Sequence, residues 1–222
     1  MKKNLDKSRL SPNDITLGII GGGQLGKMMG LEARRMSLNL AYLDPEINCP
    51  ASTISNEMIV SDFKDKKAII ELAKKSDVLT YEIELANSSV LKDLESRGYT
   101  VHPSSGVLHT IQNKVRQKKF LKDNRIPVPD FDEVISIEQA KKICKEFCYP
   151  LVLKACEDSY DGRGNFLIKS PSDIEKGIQY FKGRSCMIEK FIHFSREISV
   201  MVARNFQGQI VSFPLVQNIH IN

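Results

Sequence analysis

The sequence predicts an α/β protein in which a parallel sheet covered by helices is followed by an α+β unit of antiparallel strands. Three observations predict it. Between Ile15 and Val101 short apolar runs alternate with stretches of helical spacing, the pattern of a parallel sheet with helices on both faces. The first apolar run enters Gly21-Gly22-Gly23-Gln24-Leu25-Gly26 directly, a glycine turn between strand and helix. Beyond Pro129 the pattern changes, and Leu151-Val152-Leu153-Lys154 and Phe166-Leu167-Ile168 bracket a glycine-bearing loop.

Residues Ile15 to Ile20 form the first predicted strand, and Leu25, Met28, Met29, Ala33 and Met36 mark the apolar face of the helix after it. Leu38 to Leu43 is the next strand, ending at Asp44-Pro45. Three shorter strands follow at 58–60, 78–81 and 99–101, with helices over Lys64 to Lys75 and Ala86 to Arg97 between them. Ser104 or Ser105 caps a short helix, and a longer one is expected from Ile111 to Asn124 with Val115, Phe120 and Leu121 inward. Ile126-Pro127-Val128-Pro129 ends it. A strand near Glu133 to Ile135, a helix capped by Ser136 and running to Phe147, the strand-loop-strand unit, and a helix from Ser172 to Phe181 come next. Cys186 to Lys190 is a strand, and two more, Glu197 to Ala203 and Gln209 to Leu215, flank an Asn205-Phe206-Gln207-Gly208 turn. The expected organisation is a lead-in over 1–14, a first domain over 15–110, a linker helix and lobe over 111–192, and the start of a second lobe over 193–222.

With 222 residues and 41% hydrophobic content the chain can bury more than one core. Its net charge of +5 is spread over scattered lysines, which favours small anionic substrates over nucleic acid. The cysteines at 49, 144, 148, 156 and 186 show no metal spacing and read as reduced thiols. Cys144 and Cys148, a helical turn apart, read as packing residues. The opening Met1 to Asp6 carries charge without an apolar run, and nowhere do about 18 apolar residues stand together. The expectation is a cytoplasmic protein with no membrane partner.

Two stretches carry chemistry. Gly21-x-Gly23-x-x-Gly26, with Asp44 at the end of the second strand, matches a dinucleotide fingerprint. It fits equally a plain strand-to-helix turn, or a helix N-terminus holding one phosphate, so a nicotinamide-dependent oxidoreductase stays open at this point. Lys154 ends a buried strand, and Ser159-Tyr160-Asp161-Gly162-Arg163-Gly164-Asn165 follows. Such a loop can fold over an anion and offer backbone N–H groups, although Asp-Gly-Arg-Gly taken alone also fits a hairpin turn. Lys114 and Lys154 by themselves fit solvated surface charges, and Glu197 and His220 have no strong individual signal.

Seven motifs occur in order: Gly21 to Met29, Leu43-Asp44-Pro45, Thr80-Tyr81-Glu82, Asn113-Lys114, Tyr160 to Gly164, Ile188 to Phe191, and Pro214 to His220. Together they resemble the 5-(carboxyamino)imidazole ribonucleotide synthase family, ATP-grasp enzymes of purine biosynthesis also called the ATPase subunit of phosphoribosylaminoimidazole carboxylase. The resemblance implies a Rossmann-like pre-ATP-grasp domain followed by an incomplete ATP-grasp domain. It implies ATP-driven carboxylation of aminoimidazole ribonucleotide with bicarbonate, through carboxyphosphate. Lys114 and Lys154 would contact the phosphates, and Ser159, Tyr160, Asp161, Gly162, Arg163, Gly164 and Asn165 would form the lid. Glu189, Lys190, Phe191 and Ile192 would form the hinge along the adenine, Glu197 would accept the ribose hydroxyls, and His220 would lie near the phosphates. Gly23, Gln24 and Leu25 would cradle the substrate phosphate, with Tyr160, Asp161 and Arg163 closing on it. The catalytic set so implied is Lys154, Asp161, Arg163 and His220.

Two departures from the family pattern stand out. Asp158 and Ser159 replace two lid glycines, and Asn165 stands where glutamine is usual. The family's Mg2+-binding carboxylates lie beyond residue 222, so these 222 residues alone are expected not to turn over, and a non-catalytic nucleotide-binding remnant stays open as an alternative. A homodimer, or a complementing carboxyl-terminal chain, is the expected assembly.

Overall fold

The computed structural model describes residues 11–157 and 164–219. The first half is a five-stranded sheet of order β3-β2-β1-β4-β5, every neighbouring pair parallel. Its strands are β1 (Thr16–Ile20), β2 (Asn39–Asp44), β3 (Glu57–Val60), β4 (Val78–Tyr81) and β5 (Thr100–Val101). Alternating side chains face opposite sides of a strand, and two cores follow. Ile20, Ala41 and Leu43 pack against Ile69 and Leu72 of helix α2 (Lys66–Lys75) and Leu91 and Leu94 of α3 (Ser88–Ser96). Ile19, Leu40 and Tyr42 face the other way, with Ala33 of α1 (Gln24–Arg35), Cys49 and Ala51. Asp65 caps α2 through the N–H groups of Lys67 and Ala68, and Asn87 caps α3 through that of Val90.

The expected short helix and the longer one after it are both present, the longer one starting three residues later than Ile111. α4 (Ser105–Ile111), capped by Ser104, stops before Asn113, which caps α5 (Lys114–Asp123) through the Arg116 N–H at 3.0 Å. Val115 is buried on α5 and Leu121 half-buried, but Phe120 is 55% exposed rather than inward. Five residues of helix turn it roughly 140° away from Val115.

The second half is a four-stranded antiparallel sheet of order β6-β9-β7-β8, built from Phe131–Val134, Cys186–Lys190, Leu151–Ala155 and Asn165–Ile168. On β7, Leu151, Leu153 and Ala155 are buried with Ile188 against α6 (Ile137–Phe147) and α7 (Ser172–Tyr180). Val152 and Lys154 therefore face the opposite side, paired across the ladder with Glu189 and Met187 of β9. This second face receives α5, whose Val115 packs with Cys156, Met187 and Phe131. Cys144 is packed as expected, but α6 ends at Phe147 and Cys148 is exposed with φ +62°.

The two expected final strands are four: β10 (Glu197–Ser199), β11 (Val202–Arg204), β12 (Ile210–Ser212) and β13 (Val216–Asn218), with β10 paired to β13 and β11 to β12. Pro214 has no N–H to donate to a ladder, so the second strand cannot run unbroken from Gln209 to Leu215.

Candidate functional site

Two places collect the residues singled out by sequence. The first is the carboxyl edge of the parallel sheet, where ligands bind in open α/β sheets. Gly21 has φ +100°, which only glycine adopts without strain, and its N–H donates to the Leu43 carbonyl at 2.9 Å. Gly22 donates to Asp44 Oδ2 at 2.8 Å, and Glu46 N–H donates to Asp44 Oδ1 at 2.9 Å. Both oxygens of this buried carboxylate are thus committed to bracing the turn. This is the structural role that a plain strand-to-helix turn asks of Asp44.

Gly23 is the N-cap of α1, and Gln24 and Leu25 form its exposed first turn. The Glu82 carboxyl group lies across this mouth, close to Gly21, Gly23 and Gly26, whose N–H groups at 23 and 26 favour its charged form. Burial raises its pKa, and the negative charges of Asp44 and Glu84 raise it further against those two donors. Glu82 was visible in sequence only as part of a motif. Its place beside the glycines depends on β4 lying next to β1.

The second place is the α5-facing side of the antiparallel sheet. Lys114 and Lys118 stand one helical turn apart on α5, and Lys154 rises from β7 opposite them. The Lys114 N–H donates to the Cys156 carbonyl at 2.9 Å, which ties the helix start to the end of β7. Burial lowers the pKa of Lys114, and the positive charge of Lys154 lowers it further. The sheet therefore brings the two sequence-predicted lysines into one electrostatic neighbourhood.

Between them lies Glu189, 7% exposed. Its Oε1 is 2.9 Å from Lys154 Nζ and its Oε2 is 2.5 Å from Lys118 Nζ. Burial pushes this carboxyl up, and the two ammonium groups outweigh burial and hold it below the ordinary range. Lys118 also sits 5.7 Å over the ring of Phe131. Sequence reading missed Lys118, because a lysine in a lysine-rich helix has no signal until the sheet brings Glu189 to it.

Lys190, Phe191 and Ile192 continue from β9. Lys190 is exposed and donates its N–H to the Asp130 carbonyl, Phe191 donates to the Pro150 carbonyl at 3.3 Å, and Ile192 is 47% exposed. Glu197, on β10, accepts from Asn218 Nδ2 at 2.8 Å. Gly164 is buried and its carbonyl accepts from Ala155 N–H at 2.9 Å, while Asn165 pairs with Lys154 across β7 and β8. After β7, Glu157 Oε1 accepts from Asn113 Nδ2 at 2.8 Å and its carbonyl from Arg184 Nη2 at 2.7 Å. A cleft of about 290 Å³ lined by Glu84, Asn87, Gln112, Arg116 and Glu157 separates this segment from the first sheet. Ser159, Tyr160, Asp161, Gly162, Arg163 and His220 lie outside the described residues.

Residues 15–112 match the ribonucleotide synthetase preATP-grasp domain and residues 119–222 the ATP-grasp domain. A phosphoribosylaminoimidazole carboxylase from Candida glabrata is 40% identical over 93% of this chain and 37% of its own length. An N5-carboxyaminoimidazole ribonucleotide synthase from Staphylococcus aureus is 35% identical over 93% of this chain and 55% of its own length. Among solved structures, the S. aureus N5-carboxyaminoimidazole synthetase complexed with ADP has a TM-score of 0.89 at 34% identity, covering 93% of this chain and 55% of that one. The Aspergillus clavatus enzyme in complex with ADP and 5-aminoimidazole ribonucleotide has 0.86 at 31%, covering 95% and 55%. The chain spans 37–55% of the length of these curated relatives.

Proposed function

Because the chain resembles the amino-terminal part of the N5-carboxyaminoimidazole ribonucleotide synthases, of the ATP-grasp superfamily, we propose that it binds ATP and aminoimidazole ribonucleotide for carboxylation of that ribonucleotide in purine biosynthesis. Bicarbonate takes the γ-phosphoryl group, releasing ADP, and the resulting carboxyphosphate passes its carboxyl group to the exocyclic amine with loss of phosphate. The observation that supports this best is the convergence of Lys114 and Lys154 on one face, near Glu157 and Gly164. Two ammonium groups so placed neutralise a polyphosphate tail, and no covalent enzyme intermediate is needed.

In this reading Glu189 to Ile192 run along the adenine and Glu197 receives the ribose hydroxyls. Ser159 to Asn165 close over the phosphates, and His220 approaches them. Gln24 and Leu25, at the open first turn of α1 with Gly23, receive the substrate phosphate. Tyr160, Asp161 and Arg163 reach it from the closed loop. Glu82, at the same mouth, offers a carboxyl group to the amine-bearing imidazole. Among the described residues no cluster of three or more His, Cys, Asp or Glu side chains could hold a metal ion, and Glu189 is already bound by two lysines. The described residues therefore do not by themselves fit Mg2+, and no step here is routed through it.

The test joins this chain to the carboxyl-terminal half of the S. aureus relative. Phosphate release from ATP is expected only when aminoimidazole ribonucleotide and bicarbonate are both present. Release indifferent to the ribonucleotide, or binding of NADH without binding of ATP, contradicts the proposal.

A further inference from the structure

The two lysines on Glu189 are not equivalent. Lys118 approaches from α5 on the β6 side, packed over Phe131, with its side chain 16% exposed. Lys154 approaches from β7, the strand next to β8, with its side chain 23% exposed. A buried carboxylate with one cationic partner holds that partner tightly, since releasing it strands a charge away from water. With a second cation beside its other oxygen the carboxylate keeps a compensating charge when the first leaves, and repulsion between the two ammonium groups loosens both.

Resting on the nucleotide reading above, we propose that Lys118 is a positioning residue: its charge compensates Glu189 from behind, so that the Lys154 ammonium can leave that carboxylate for a phosphate. Lys118 does not itself touch the nucleotide. Its effect is exerted through the Glu189 carboxylate.

Two readouts on the 222-residue chain test this. In ATP titrations, Lys118→Met is expected to weaken binding about tenfold, while Lys118→Arg, which keeps the charge, stays within about twofold. Lys118→Met/Glu189→Gln is expected to return to the affinity of Glu189→Gln alone, because an uncharged amide does not retain Lys154. A role for Lys118 in packing alone predicts that the second substitution rescues nothing. The other readout needs no nucleotide. The rate of reductive methylation of Lys154, followed by peptide mass spectrometry, is expected to fall about threefold or more in Lys118→Met and to rise above wild type in the double variant. An unchanged methylation rate overturns the inference whether or not ATP binds. Failure of the wild-type chain to bind ATP, with the methylation pattern as expected, overturns the nucleotide reading instead.

Discussion

Replacing Gly26 by alanine should damage both the first core and the proposed substrate mouth. Gly26 is buried in the first turn of α1, and a Cβ there would fall on the carbonyl oxygen of Gly21, closer than real Cβ atoms approach. That oxygen belongs to a backbone fixed at φ +100° and tied by its N–H to Leu43, so it cannot swing aside as a side-chain tip would. Instead α1 must retreat by about 1 Å to restore ordinary contact distance. Retreat stretches the 2.9 Å bond that Tyr42 Oη donates to the Gly26 carbonyl and the contact of Gly26 N–H with Glu82. Overpacking costs about 1–3 kcal/mol and the buried tyrosine bond about 1 kcal/mol more. The helix preference of alanine over glycine returns about 1 kcal/mol, leaving a loss of about 1–3 kcal/mol. Urea unfolding followed by circular dichroism measures this. Gly106→Ala in α4 is the control, since only Ser104 Oγ, at 3.8 Å, lies near its Cβ, and it should be neutral or slightly stabilising. A Gly26→Ala loss under about 0.5 kcal/mol, or an equal loss at Gly106, refutes the reasoning.

Two further outcomes follow from the second half. Glu189 is held below the usual carboxylate range by Lys118 and Lys154 against the opposing effect of burial, so its folded pKa is lower than the unfolded value of about 4.3. Its contribution to stability is then fully present above the unfolded pKa and lost as pH falls through the folded one. The gap in urea midpoint between wild type and Glu189→Gln should therefore close on acidification, and a gap constant from pH 7 to pH 3 contradicts the clamp. Asn113 caps α5 with Oδ1 and holds Glu157 with Nδ2. Asn113→Ala should cost about 1 kcal/mol and speed hydrogen exchange both in the first turn of α5 and at 155–157. Exchange that rises in the helix alone would show that the second bond is idle.

The parallel sheet was legible because apolar alternation, glycine turns and capping residues are local signals, and each strand-helix unit repeats them. Lys154 could be placed on the open face of β7 from the alternation of Leu151 and Leu153 alone. The pairing of Lys118 with Glu189 could not, since it depends on α5 lying across β6 and β9, which no local pattern encodes. The same holds for Glu82, which reaches the glycine turn only because β4 neighbours β1. Asp44 illustrates the reverse error: its sequence position fits a ribose-binding acid, while in space it serves the backbone of Gly22 and Glu46. Phe120 misled because its apolar character was read without the helical angle that separates it from Val115.

At the centre stands the proposal that Lys114 and Lys154 grip a triphosphate. Isothermal calorimetry of ATP with the wild-type chain, Lys114→Ala and Lys154→Ala tests it most directly. Each substitution is predicted to weaken ATP binding about tenfold or more, the loss of one charge-assisted contact, with a smaller loss for adenosine, which lacks phosphates. Undiminished ATP affinity in both variants, or equal losses for ATP and adenosine, would contradict it.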